Sequence, residues 1–398
     1  TKQNNQVTYL LQVLFLEKKI EALHITRSMQ DRAKQLSEEI DDVNERLELI
    51  AKTSNLSLQL YGWYIQHGHA RNDEDRVALD AFMKYPILER VKSSKGFYER
   101  LYRYQCHCWY GFITQDFLLH YRYSQKWVDL FDKEENMKIV ETAQYIKGLH
   151  NLITSHFDLR NFQKLNETIA ILEAFSNTPI VLNNKNNLIQ SFVYLYIAKI
   201  NKHFLEGSFS EGLNMIPAME AQLKEIELYV DSHRVLVFYY KIASLYFGAG
   251  KPEQSIDYLN KIINWKLNLR DDLQCYARLL HLIAHYEIGN MDVVNYLSKS
   301  VYRFMAKMKN LSTVEVVLFN FLKKSIQFVG AKTNMTEKNS AIKNMFVELL
   351  ATLQPLEKNK LESRAFMYLD IISWLESKIQ DKDVQSIIKE KFLASKHS

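Results

Sequence analysis

Proline and glycine are scarce in this chain. Its 398 residues include 5 prolines and 11 glycines, about a third of the usual combined share. Tight turns must be few and helices long, which argues against a β-rich or Rossmann-like fold and for an all-α one. Cysteine is equally sparse. Cys106, Cys108 and Cys275 make no disulfide framework and fit a reducing compartment, with the cytoplasm as the expectation. No run approaches eighteen apolar residues, so no membrane span is expected, and no secretory signal stands at the start. The first residue is Thr1 rather than Met, which leaves a removed leader or a further N-terminal domain open. Neither charge dominates: 51 basic against 46 acidic residues give a net +5. With no polybasic run, bulk charge gives nucleic-acid binding no support.

What is abundant is helical periodicity. From Val7 to Ile50 neither glycine nor proline occurs, and apolar residues recur at three and four: Leu16, Ile20, Leu23, then Leu36, Ile40, Val43, Leu47 and Ile50. These are two or three long amphipathic helices. The stretch EEIDDVNERLEL covers too few heptads to decide between a coiled coil and a helix packed on its neighbour.

Further along, the chain repeats itself. LHNLITSHFDLRNFQKL from Leu149, YIAKINKHFLEGSFSEG from Tyr196, YYKIASLYFGAGKPEQS from Tyr239 and RLLHLIAHYEIGNMDVV from Arg278 follow one plan. An apolar helical run leads to a planar pair (His156-Phe157, His203-Phe204, Tyr246-Phe247, His285-Tyr286), then to a turn and a second amphipathic run. The turns fall at Arg160-Asn161, Gly207-Ser208, Gly250-Lys251 and Gly289-Asn290. Glycine suits a left-handed helix end, and Pro252 suits the first turn of the next helix. Pro217 lies inside an expected second helix and should break or kink it. Asn177–Asn187 and Gly330–Ser340 read as the best breaks between helices.

The segment Val235–Asn268, with Tyr239, Ile242-Ala243, Tyr246, Gly250, Ser255-Ile256, Leu259 and Ile262-Ile263, resembles a tetratricopeptide repeat, and the other three copies resemble degenerate versions. Successive planar pairs stand 47, 43 and 39 residues apart, longer than that family's period of about 34. Weaker likenesses begin near Leu10, Leu58 and Ile113. The resemblance implies a right-handed α-solenoid of about seven stacked antiparallel helical hairpins. Residues 1–100 would be long helices and degenerate hairpins, 101–310 the repeat array and 311–398 closing helices, in one continuous solenoid. The whole also resembles uncharacterised helical-repeat proteins of Bacteroidetes bacteria, which implies a fold and no activity.

Several motifs invite chemistry. His281 and His285 are one helical turn apart, but the zinc-protease motif needs Glu after the first His, and Leu282 stands there. His285 also aligns with His156, His203 and Tyr246, so a packing role accounts for all four. Cys106-His107-Cys108 lacks both zinc spacing and a second ligand pair, and buried thiols are expected. His67-Gly68-His69 reads as a helix end. Glu38, Glu39, Asp41 and Asp42 read as a solvated face. Between Val301 and Ser340, seven basic residues oppose two acidic ones and aromatics interleave. Helical spacing would bury most of those rings, leaving an ordinary basic face. No phosphate loop, nucleophile elbow or paired carboxylate motif appears, so no enzyme, cofactor or metal is expected.

The aromatic after each planar slot is the feature with a functional reading. In the resembled family the first helices of the hairpins line a concave groove, which places Phe157, Phe204, Phe247 and Tyr286 there. His150, Asn201, Ser244, Arg278 and Glu287 would be their polar neighbours. Such a ladder suits a peptide, tail or helix of a partner protein. The same rings would serve equally as packing between hairpins. The function expected is a non-catalytic scaffold. The alternative is a regulatory sensor responding to a small ligand or signalling peptide. Nothing in the residues sets the oligomeric state.

Overall fold

The computed structural model describes residues 5–27, 31–265, 270–329, 335–359 and 362–396. Every regular element among them is helical. The longer helices are α1 (Val7–Leu23), α2 (Arg32–His67), α3 (Asp73–Met83), α4 (Phe97–Ile113), α5 (Phe117–Lys133), α6 (Thr142–Asp158), α7 (Phe162–Ser176) and α8 (Lys185–Glu206). They continue as α9 (Ile216–Ile226), α10 (Ser232–Gly248), α11 (Pro252–Ile263), α12 (Asp271–Glu287) and α13 (Met291–Lys307). The last four are α14 (Thr313–Val329), α15 (Met335–Leu353), α16 (Ile371–Gln380) and α17 (Val384–Lys396). Two compact units emerge, one of residues 1–63 and 76–155, the other of residues 64–75 and 156–398.

Hairpin turns share one hydrogen-bonded design. A residue in the left-handed region ends the first helix: Gln115, Arg160, Gly207, Gly250, Gly289, Lys309 and Asp381. The residue after it donates its N–H five positions back, Asn161 to His156 O at 2.8 Å, Ser208 to His203 O at 3.1 Å, Lys251 to Tyr246 O at 2.9 Å and Asn290 to His285 O at 3.0 Å. This bond satisfies a helix-end carbonyl that otherwise lacks a partner. The planar slot of the repeat is therefore also the residue whose carbonyl closes the turn. In two units its imidazole reaches the start of the next helix: His203 Nδ1 lies 2.8 Å from Ser208 Oγ, and His285 Nδ1 lies 3.3 Å from Asn290 Nδ2. Asp116 and Asn161 cap the helices they begin, accepting from Leu119 N and Lys164 N.

In the first unit, α1 and α2 form a hairpin whose core is Val7, Leu10 and Leu14 against Leu36, Ile40 and Val43. The stretch EEIDDVNERLEL thus packs on its neighbour, while Glu38, Asp41 and Asp42 face solvent. Helices α4 and α5 approach closely because Gly111 has no side chain; a Cβ there would meet His120 N at 2.7 Å. Trp127 and Phe131 fill the space beside them, with Phe131 edge-on to Phe97 at 5.1 Å.

In the second unit α8, α10, α12 and α14 are first helices of successive hairpins. Pro217 acts as expected. A single turn (Phe209–Gly212) and a 3-10 segment (Leu213–Met215) come first, and α9 then restarts with Pro217 in its first turn, where a missing N–H costs nothing. Of the expected breaks, Asn177–Asn187 contains the short helix Pro179–Leu182 and the N-cap Asn184. Residues 330–334 of the other break lie outside those described.

The closing helices do more than cover the end of the stack. Tyr286, at the end of α12, packs among Phe321, Phe346 and Trp374, with ring centroids 6.2–6.5 Å away. Helix α17 lies against α8 and α7: Phe392 is edge-on to Phe162 at 4.7 Å, and Gln385 Oε1 accepts from Ser210 N at 3.2 Å. Gly207 permits this contact, since a Cβ there would meet Lys389 N at 2.5 Å and Gln385 O at 2.6 Å.

Candidate binding site

The second unit brings residues from three consecutive first helices around one ammonium group. Lys241 of α10 is half-buried and donates to Asn201 Oδ1 of α8 at 2.6 Å. Its Nζ lies 5.4 Å from the Phe204 ring centroid and 5.9 Å from that of Phe157, at the end of α6. Asn201 and Phe204 are three residues apart and so share one face of α8. Phe204 is held in place by stacking on Phe209, 5.5 Å away at 28°.

Burial sets the electrostatics. Desolvation pulls Lys241 from the ordinary lysine range down to about 8, and the nearby Asp158 carboxylate works against that shift. The ammonium makes one hydrogen bond to a neutral amide and faces two aromatic rings, which attract a cation through their quadrupoles. Among the described residues no carboxylate forms an ion pair with it. Rings beside a partly desolvated charge are equipped to bind a ligand that offers both apolar and polar groups.

The other expected positions lie elsewhere. Phe247 is buried, and its carbonyl accepts Gly250 N–H in the hairpin turn. Ser244 donates to Tyr240 O at 2.9 Å, within its own helix. Arg278 donates to Gln274 O and Ile263 O and lies 4.0 Å over Phe304. Tyr286 and Glu287 meet the closing helices: Trp374 Nε1 donates to Glu287 Oε1 at 2.7 Å, and Lys378 Nζ pairs with the same carboxylate. His150 falls in the first unit, where its carbonyl accepts from Thr154 Oγ1. Lys241 had no place in the expected set, yet it is the one charged residue between Arg234 and Lys251. A lone lysine in an apolar first helix is the signal that would have found it.

The other motifs that invited chemistry have the following surroundings. His281 and His285 are edge-to-face at 4.5 Å, and desolvation lowers the pKa of both, His281 to about 4. Among the described residues no three His, Cys, Asp or Glu side chains gather as metal ligands would. Cys106 donates to Thr53 O, Cys108 lies 3.3 Å from Ser124 Oγ, and all three cysteines are buried. In the basic stretch after Val301, Phe319 and Phe321 are buried while Lys307, Lys323 and Lys324 are exposed. No helix among the described residues is long and apolar enough to cross a membrane.

No family profile matches the chain, and no curated protein matches it. Among solved structures, it is similar to a Rap protein crystallised in complex with competence and sporulation factor. The two share 12% identity with a TM-score of 0.51, over 98% of this chain and 99% of that one. At that identity the likeness speaks to fold alone, and the fold is an all-α, tetratricopeptide-like helical repeat. The comparisons lend nothing to the resemblance to Bacteroidetes proteins.

Proposed function

We propose that this chain is a non-catalytic helical-repeat scaffold that binds a peptide, tail or helix of a partner protein along its first helices. One observation carries this reading: Lys241, Asn201, Phe204 and Phe157 converge from three consecutive first helices, leaving a partly desolvated cation between two rings. Aromatic area binds at low entropic cost, and a fixed charge supplies orientation. In this reading Phe157, Phe204, Asn201 and Lys241 form the contact centre, while Phe247 and Tyr286 hold neighbouring helices together. Buried thiols accord with a reducing compartment such as the cytoplasm.

A second reading, a sensor of a small ligand or signalling peptide, draws support from the similar Rap structure, which was solved with competence and sporulation factor bound. Selection from a random peptide library tests both. The wild type should enrich a peptide class that the combined Phe204→Ala and Lys241→Met variant, shown folded by circular dichroism, no longer retains. Equal enrichment by both proteins refutes the site. Hydrogen exchange with the selected peptide then separates the readings: protection confined to α6, α8 and α10 indicates a scaffold, and altered protection in α16 and α17 indicates a sensor.

A further inference from the structure

Helix α1 carries two apolar faces, and among the described residues its own chain packs on one. Val7, Leu10 and Leu14 pack onto α2. On nearly the opposite face stand Tyr9, Val13, Leu16, Ile20 and Leu23, exposed at 57%, 49%, 59%, 60% and 80%. At about 100° per residue these five fall within an arc of roughly 80°. Their spacing runs 4, 3, 4, 3, which is the narrow seam of a coiled coil rather than the broader stripe of a helix facing a globular core.

We propose that this seam is an interface with a second copy of the chain, the two α1 helices pairing in parallel and in register. Placing Val13 and Ile20 at the a positions puts Tyr9, Leu16 and Leu23 at d. β-Branched residues at a with leucine at d are the choice that favours a parallel, two-stranded pairing. Flanking side chains favour it only by avoiding like charges. In the parallel arrangement Lys19 faces His24 and Gln12 faces Glu17 of the other copy, whereas an antiparallel pairing centred on the seam would set Glu17 beside Glu17 and Lys19 beside Lys19. At roughly 100 Å² of exposed surface per seam residue, pairing would bury about 1,000 Å² over both copies, the range of a weak, reversible dimer. The α1–α2 hairpin already holds the helix, so a short seam need not supply the cost of forming it.

Sedimentation equilibrium over about 1 to 200 μM protein tests the interface. The wild type should approach twice the monomer mass with rising concentration. Leu16→Asp, at an exposed position that keeps the α1–α2 core, should stay monomeric with an unchanged circular dichroism spectrum. Leu23→Cys should form an interchain disulfide under mild oxidation and Lys18→Cys, on the far side of the helix, should not; the native cysteines are buried and do not interfere. A monomeric wild type overturns the proposal, as does a dimer that survives Leu16→Asp. A dimer whose Leu23→Cys variant fails to cross-link overturns the parallel register, since antiparallel helices hold those positions beyond the roughly 7 Å that a disulfide spans.

Discussion

Substituting Gly207 by alanine should release the C-terminal helix from the repeats, and two other glycines in the same kind of turn provide the control. Gly207, Gly250 and Gly289 have φ of 66°, 72° and 79°. Alanine at any of them costs about 1–2 kcal/mol for the left-handed backbone. Around Gly250 and Gly289 an added Cβ meets nothing within 4 Å, whereas at Gly207 it would meet backbone atoms of α17 at 2.5 and 2.6 Å. Backbone cannot rotate aside as a flexible side chain can, so α17 must shift, adding an overpacking cost of about 1–3 kcal/mol. That shift also works against the contact of Phe392 with Phe162 and the burial of Ile387 and Ile388. Stability in a stacked array is largely local, so hydrogen exchange of α17 amides is a sharper readout than a global melt. Gly207→Ala should speed their exchange by about 10- to 100-fold relative to wild type, while Gly250→Ala and Gly289→Ala should leave them almost unchanged. Equal α17 exchange in all three variants would refute the close approach of α17 to the Gly207 turn.

Three more measurements probe the electrostatics. His156 and His281 are buried, and desolvation lowers each pKa to about 4. Below the ordinary value near 6.5 the unfolded chain binds protons that the folded one refuses, so stability falls as pH drops from about 6.5 toward 4. Each site should cost about 1–2 kcal/mol by pH 5, and His281→Phe should flatten that part of the urea-denaturation pH profile. Lys241 behaves in the other window: its folded pKa of about 8 lies below the usual 10.4, so its contribution rises with pH between the two. Selective ¹³C-methylation of lysines should show one NMR resonance titrating near 8, and a Lys241 midpoint above 10 would remove the desolvation argument. Arg270 and Asp272 form a buried pair, joined at 2.8 Å through both carboxylate oxygens. Arg270→Met alone should cost about 3–5 kcal/mol by removing the charge that balances the buried aspartate, and adding Asp272→Leu should recover much of it; equal melting of the single and double variants contradicts that account.

Much of the local architecture could be read in advance. Turns at Gly207, Gly250 and Gly289 were legible because few residues other than glycine favour positive φ. Those at Gln115, Lys309 and Asp381 use the same conformation without glycine, so the hairpins they close carry only a weak signal. Pro217 reads as an interruption of a second helix because in a helix interior its ring removes a hydrogen bond and clashes with the preceding turn; the structure gives it a place in the first turn of α9. Phe157, Phe204 and Asn201 meet around Lys241, while Phe247, Tyr286, Ser244, Arg278 and Glu287 find other neighbours, for a plain reason. Each position was transferred along the chain from one repeat to the next, while what covers a ring depends on helices far away in sequence.

The all-α class, the hairpin turns closed by glycine and the planar slot follow from the order of residues, because each depends on periodicity and backbone preference within about one helical turn. Tertiary structure alone decided that Trp374 would find Glu287 and that Lys241 would sit between Phe157 and Phe204. Those pairings are set by how successive hairpins pack on one another. Small differences in helix length and crossing angle accumulate across a stack, and no local pattern records their sum.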